Sequence, residues 1–209
     1  SYDLDWTNPE VRRECADIDN FWRSKGVHGF RFDVINLISK ASFEDDPFNF
    51  DSRQYYTDGP REHEYLRELN RASFGQDEDH LTVGEMSSTK LESCIGYTNP
   101  ENHELSMAFN FHHLKVDYPD GEKWALMDPD VPQLRNLFAT WQEKMTAGGG
   151  WNALFWSNHD QPRPNSRFCD TQNYWFESST LLPTCTHLMR GTPYIYQGEE
   201  PGKTLTDFE

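Results

Sequence analysis

The chain reads as an α/β protein built on parallel strands. Two observations predict this. Short runs rich in β-branched and aromatic residues alternate along the chain with longer amphipathic stretches, the order of strands joined by crossover helices. Ionisable and amide side chains then gather just after those runs, at Asp33, Glu85, Asn110–His113, His159–Asp160 and Gln197–Glu200. In a parallel sheet such positions fall at one end, and a rim that collects reactive groups from separate strands marks a (β/α)8, or TIM, barrel. Five strands can be counted, and 209 residues suit one sizeable core better than two full domains.

The stretch Asn8–Lys25 is the first helix. Asn8 can cap it, Pro9 suits its first turn and Gly26 follows its last. Val11, Cys15, Ile18 and Trp22 recur on one face of it. Val27–Ile35 is the first strand. Side chains two apart on a strand share a face, so Arg31 and Asp33 point into the same space. A carboxylate among apolar strand residues needs a cation to stay ionised, and Arg31 supplies one. An ionised carboxylate at a strand end suits a nucleophilic Asp. The same pair suits, about equally, a purely structural role that fixes register.

Phe43–Gly59 is polar and acidic and reads as a long loop. Pro60–Phe74 is a second helix, with Tyr65, Leu66, Leu69 and Phe74 as its apolar residues, and Gly75–Asp79 is an acidic turn. His80–Met86 is a short strand carrying Glu85, and Glu101–His113 holds another. Val131–Met145 is a helix with Leu134, Leu137, Phe138 and Trp141 on one stripe. Gly148–Gly150 turns into the strand Trp151–Trp156, which leads to Ser157–Arg163. Asn173–Arg190 has a helical pattern that Pro183 should kink or break. Gly191–Gln197 is the last strand.

A net charge of −16 offers no basic field to a phosphate backbone, which argues against nucleic acid as a partner. No apolar run is long enough to span a bilayer, and no signal-peptide pattern opens the chain, so no membrane partner is expected. Cys15, Cys94, Cys169 and Cys185 are scattered without a CxxC and read as free thiols of a reducing compartment. Aromatic residues make up 14 % of the chain, which suits a large core or a carbohydrate-binding cleft.

Three acids stand out by position: Asp33, Glu85 and Asp160. Two carboxyls flanking a glycosidic bond suffice for its hydrolysis, and a third can hold sugar hydroxyls. The stretches GFRFDVIN, TVGEM and FWSNHDQPR resemble signature regions of the α-amylase family of glycoside hydrolases (family 13). GTPYIYQGEE resembles the segment that closes the family's barrel, and the resemblance runs from Leu4 to about Glu200. It implies a retaining hydrolase that needs no cofactor or metal at this site. Asp33 matches its nucleophile, Glu85 its acid/base, and Asp160 the residue gripping the 2- and 3-hydroxyls. Arg31 matches the residue that orients the nucleophile and His159 one that binds the same sugar, while Arg163 joins the substrate-binding set. Retention implies Asp33 and Glu85 carboxyls about 5–5.5 Å apart. The proton donor's role implies a raised pKa for Glu85.

The stretches TVGEMSST, IGYTNPE and AFNFHHLKVDYPDGEKWAL are similar to those of family members that cleave the α-(1,1) bond of trehalose 6-phosphate. That resemblance implies a small-molecule sugar phosphate as substrate and the cytoplasm as location. A phosphate dianion needs a cationic pocket. Lys115 and Lys123, helped by His112 or His113, are the candidates to hold it. An oligo-1,6-glucosidase or α-glucosidase of the same family is the alternative, as is an inactive fragment.

The first strand here corresponds to the fourth of the family's eight. The resemblance therefore implies the C-terminal part of the catalytic barrel over residues 1–209, strands 4 to 8 with intervening helices. The N-terminal strands, the inserted lid domain and the C-terminal β domain are expected to be absent. A partial barrel leaves its first strand with an unpaired edge, which predicts poor stability or oligomerisation in isolation.

Overall fold

A computed structural model describes residues 3–43, 52–123 and 127–205. They divide into two compact units. One holds the chain up to Phe111 together with Lys144–Trp151, and the other holds His112–Glu143 and the chain from Asn152 onward.

In the first unit, α1 spans Pro9–Arg23, and the Asn8 side chain accepts the Glu10 N–H at 2.9 Å as its cap. Strand β1 (Gly29–Phe32) follows, then helices α2 (Arg53–Tyr56) and α3 (Glu62–Ala72), strand β2 (Leu81–Glu85), helix α4 (Leu91–Thr98) and strand β3 (Met107–Phe109). All pairings are parallel. β1 lies against β2 with Phe32 opposite Gly84, and β2 lies against β3 with Glu85 opposite Phe109. The β1–β2 ladder ends at the first of these pairs, and Asp33 and Glu85 are the next residue of each segment. Phe30 and Phe32 turn toward Phe74, with ring centroids 6.4 and 5.5 Å away. Tyr65, Leu66, Leu69, Phe74, Val83, Met107 and Ala108 are buried and form the core between helices and strands.

The strand expected over Val27–Ile35 is shorter than its apolar pattern. The chain leaves it after Phe32, passes through Val34 with φ +38° and enters a 3-10 turn at Ile35–Leu37. A β-branched residue seldom takes that left-handed conformation, so the turn is imposed by its surroundings. Asp33 is therefore not a strand residue, and its side chain is 71 % exposed. Burial does not force Asp33 to find a cation, although Arg31 supplies one.

The apolar stripe foreseen on α1 also faces differently. Ile18, Phe21 and Trp22 are exposed, whereas Ala16 and Asp19 are buried. Polar bonds orient this helix. Ser73 Oγ donates to Asp19 at 3.1 Å, Asn20 Nδ2 donates to Ala72 O at 2.9 Å, and Arg12 and Arg23 pair with Glu68 and Asp77. Helix α4 has no strong amphipathic period by which its sequence could announce it. Helix α2 falls within the expected Phe43–Gly59 loop, of which residues 44–51 lie outside the described residues.

The second unit holds most of α5 (Val131–Ala147), strand β4 (Asn152–Leu154), helices α6 (Pro164–Phe168) and α7 (Trp175–His187) and strand β5 (Thr192–Pro193). β4 and β5 pair in parallel, with Ala153 opposite Thr192. Phe155, Trp156, Leu114, Val116 and Leu182 are buried. Pro183 does not break α7, contrary to expectation. The helix is held from outside at that point, where Trp156 Nε1 donates to Leu182 O at 2.6 Å. Among the described residues no helix is long and apolar enough to cross a membrane.

Candidate active site

Arg31 is the centre of the acidic site. From β1 its guanidinium reaches both carboxyls: Nη1 donates to Asp33 Oδ1 at 2.9 Å and Nη2 donates to Glu85 Oε2. Asp33 is open to solvent, while the Glu85 side chain is only 11 % exposed. Burial holds the Glu85 carboxyl above its usual pKa, and a hydrogen bond shared with Asp33 raises it further, against the pull of Arg31. The shift has the direction a proton donor needs.

Two residues of this site were missed by sequence reasoning. Asn36 and Asp58 join the segment after β1 to the segment after β2, Asn36 by bonding the Ser87 backbone and Asp58 by accepting from Thr89, Lys90 and Tyr97. An amide inside the apolar run VINLI was the available signal for Asn36.

In the second unit His159 and Asp160 are neighbours, with Nε2 and Oδ2 3.3 Å apart and both side chains largely exposed. Arg163, expected to bind substrate, donates through Nη1 to Gln197 O at 2.7 Å and lies over the Tyr196 ring. It thus holds the segment after β5. Ser157 Oγ donates to Glu199 of the same segment.

The basic cluster divides. His113 cannot serve a phosphate. Its ring is buried among Phe138, Phe155 and Trp156, and Nε2 bonds Phe155 O at 2.7 Å. Burial lowers its pKa to about 4, so it is a neutral core residue. The His112 ring lies 5.2 Å from that of Trp141 and is half-buried, as is Lys115, while Lys123 is exposed. Trp124, Ala125 and Leu126, which continue the stretch, lie outside the described residues. Among the described residues no cluster of His, Cys, Asp or Glu is arranged to hold a metal ion.

A guanidinium-bridged pair of carboxyls at the ends of neighbouring parallel strands defines a carboxylate site of the α/β-barrel kind. The chain belongs to the α-amylase catalytic-domain family, whose model matches residues 1–208. The trehalose-6-phosphate hydrolase of Bacillus subtilis (strain 168) is 56 % identical over 99 % of this chain and 36 % of its own length. The oligo-1,6-glucosidase of Parageobacillus thermoglucosidasius is 44 % identical over 99 % of this chain and 37 % of its own. The crystal structure of Bacillus licheniformis trehalose-6-phosphate hydrolase superimposes with a TM-score of 0.91 at 56 % identity, covering 97 % of this chain and 36 % of that one. The chain thus spans about a third of the length of these relatives, and its α/β fold is part of their barrel.

Proposed function

We propose that this chain carries the nucleophile and the acid/base of a retaining α-glucosidic hydrolase that cleaves trehalose 6-phosphate to glucose and glucose 6-phosphate. The observation that carries the proposal is the bridge from Arg31 to both Asp33 and Glu85, with only Glu85 buried and its pKa raised. Ionised Asp33 attacks the anomeric carbon as the bond to the bridging oxygen breaks. Glu85 gives its proton to that oxygen, and glucose 6-phosphate leaves. The Glu85 carboxylate then takes a proton from water. The water oxygen displaces Asp33, which releases glucose and restores both acids.

Asp160 and His159 grip the hydroxyls of the sugar being transferred. Lys115 and Lys123, with His112, hold the 6-phosphate. The identity to trehalose-6-phosphate hydrolases favours this substrate over the α-(1,6) glucosides that the oligo-1,6-glucosidase relative is named for. A phosphorylated sugar as substrate puts the work in the cytoplasm.

The test is a chimaera in which this chain replaces the matching third of the Bacillus subtilis hydrolase. It should hydrolyse trehalose 6-phosphate and p-nitrophenyl α-glucoside, and Lys123→Ala should raise KM for the phosphorylated substrate alone. Equal effects on both substrates would remove the phosphate assignment. Preference for isomaltose would favour the oligo-1,6-glucosidase reading. No turnover of any glucoside by a folded chimaera would leave an inactive fragment.

A further inference from the structure

Asp33 lies one residue past β1, and Glu85 is the last residue of β2. The β1–β2 ladder therefore stops where the two carboxyls begin, while β2 stays paired with β3 through Glu85. Arg31, a hydrogen bond shared by the two acids and the Val34 N–H on the Glu85 carboxyl connect the side chains, but Arg31 is a long and partly exposed arm and none of these joins the two backbones. Something beyond the strands must keep the two segments at a fixed distance.

Asn36 is completely buried and lies three residues past Asp33. Its carboxamide behaves as an extra peptide group. Nδ2 donates to Ser87 O at 2.9 Å, and Oδ1 accepts the Ser87 N–H at 2.9 Å. Ser87 is two residues past Glu85. This two-point bond continues the β1–β2 pairing after the strands have ended. The amide also donates to Asp58 Oδ1 at 2.9 Å, and the Asp58 backbone N–H donates to Asn36 O at 3.0 Å. The Asp58 carboxyl in turn accepts from Thr89 Oγ1, the Lys90 N–H and Tyr97 OH, each within 3.1 Å. An aliphatic side chain at 36 would make none of the bonds to Ser87 or to the Asp58 carboxyl, and a carboxylate would set an acceptor against both Ser87 O and Asp58.

We infer that Asn36, braced by Asp58, is a positioning residue that fixes the separation of Asp33 and Glu85. The assignment rests on the hydrolase reading for its consequence in turnover. The clamp itself rests on geometry.

The test is Asn36→Leu in the full chain, with turnover measured in the chimaera. The Ser87 amide should exchange with solvent faster. Turnover of p-nitrophenyl α-glucoside should fall on the order of a hundredfold with KM little changed, the scale of a displacement of about 1 Å at reacting groups. The alkaline limb of kcat against pH should move to lower pH as Glu85 gains solvent and leaves Asp33. A residue important only for stability would lower the melting temperature and leave that limb in place. Unchanged Ser87 exchange, or unchanged kcat and limb in a folded variant, would overturn the inference. Should Asn36→Leu not fold, Asn36→Ala carries the same readouts, since it too removes the acceptor for the Ser87 N–H and both donations. If the unsubstituted chimaera cleaves no glucoside, the hydrolase reading fails, and Ser87 exchange alone decides the clamp.

Discussion

Glu62 should make this fold less stable as pH rises through the neutral range. It opens α3 with its side chain fully buried. Oε2 accepts the Ser39 N–H at 3.0 Å, and Oε1 is buried with no hydrogen-bond partner among the described residues. Burial pushes its pKa from 4.5 to about 8; Asp58 and Glu104 add to the effect, and the Ser39 N–H and Lys40 oppose it. Below pH 4.5 the carboxyl is neutral in both folded and unfolded chains. Above that value the unfolded chain ionises first and gains free energy of about 1.4 kcal/mol for each further pH step of one. The stability associated with this group is therefore present at low pH and lost as pH rises from 4.5 to about 8. Between pH 5 and 7 the loss is about 3 kcal/mol, a large share of the total for a domain of this size. Glu62→Gln has no such titration. Urea melts of both proteins at pH 5, 6, 7 and 8 should show the Gln variant gaining on the parent by about that amount over the first two steps. A constant difference across the series would refute the assignment of a buried, protonated carboxyl.

Asp33→Asn should abolish hydrolysis in the chimaera while leaving stability within about 0.5 kcal/mol, because the side chain is mostly solvated; a large shift in urea midpoint would give Asp33 a structural role. The His113 ring, followed by NMR, should titrate near pH 4, and the fold should lose stability as pH falls from 6.5 toward that value, since protonation charges a buried ring. A midpoint at the ordinary 6.5 would mean the ring is solvated. Gly59→Ala should cost about 1–3 kcal/mol or more in urea melts, because the added Cβ would meet Ser39 O at 1.9 Å. An unchanged midpoint would show that the two loops separate freely.

The parts of the fold legible in sequence were those carried by near neighbours. Asn8, Pro9 and Gly26 mark the ends of α1 because a cap bonds within its own turn. Arg31 and Asp33 do meet, as the period-two pattern expects, although Asp33 lies one residue past the strand. What failed depends on distant partners. The end of β1 at Phe32 is set by a left-handed turn at Val34, which its side chain disfavours. The orientation of α1 is set by Ser73, Ala72, Glu68 and Asp77, more than fifty residues away. His113 and Lys115 look alike as a basic cluster, yet one is packed among aromatic rings and bonded to Phe155 O. Asn36 carried no visible task because its partner, Ser87, follows a different strand.

Because one guanidinium and one shared hydrogen bond join Asp33 to Glu85, neither acid can change its protonation without altering the other. Their two apparent dissociation constants belong to the couple and not to either member. Any substitution at one of them, even an isosteric one, will therefore shift the titration of the acid that remains.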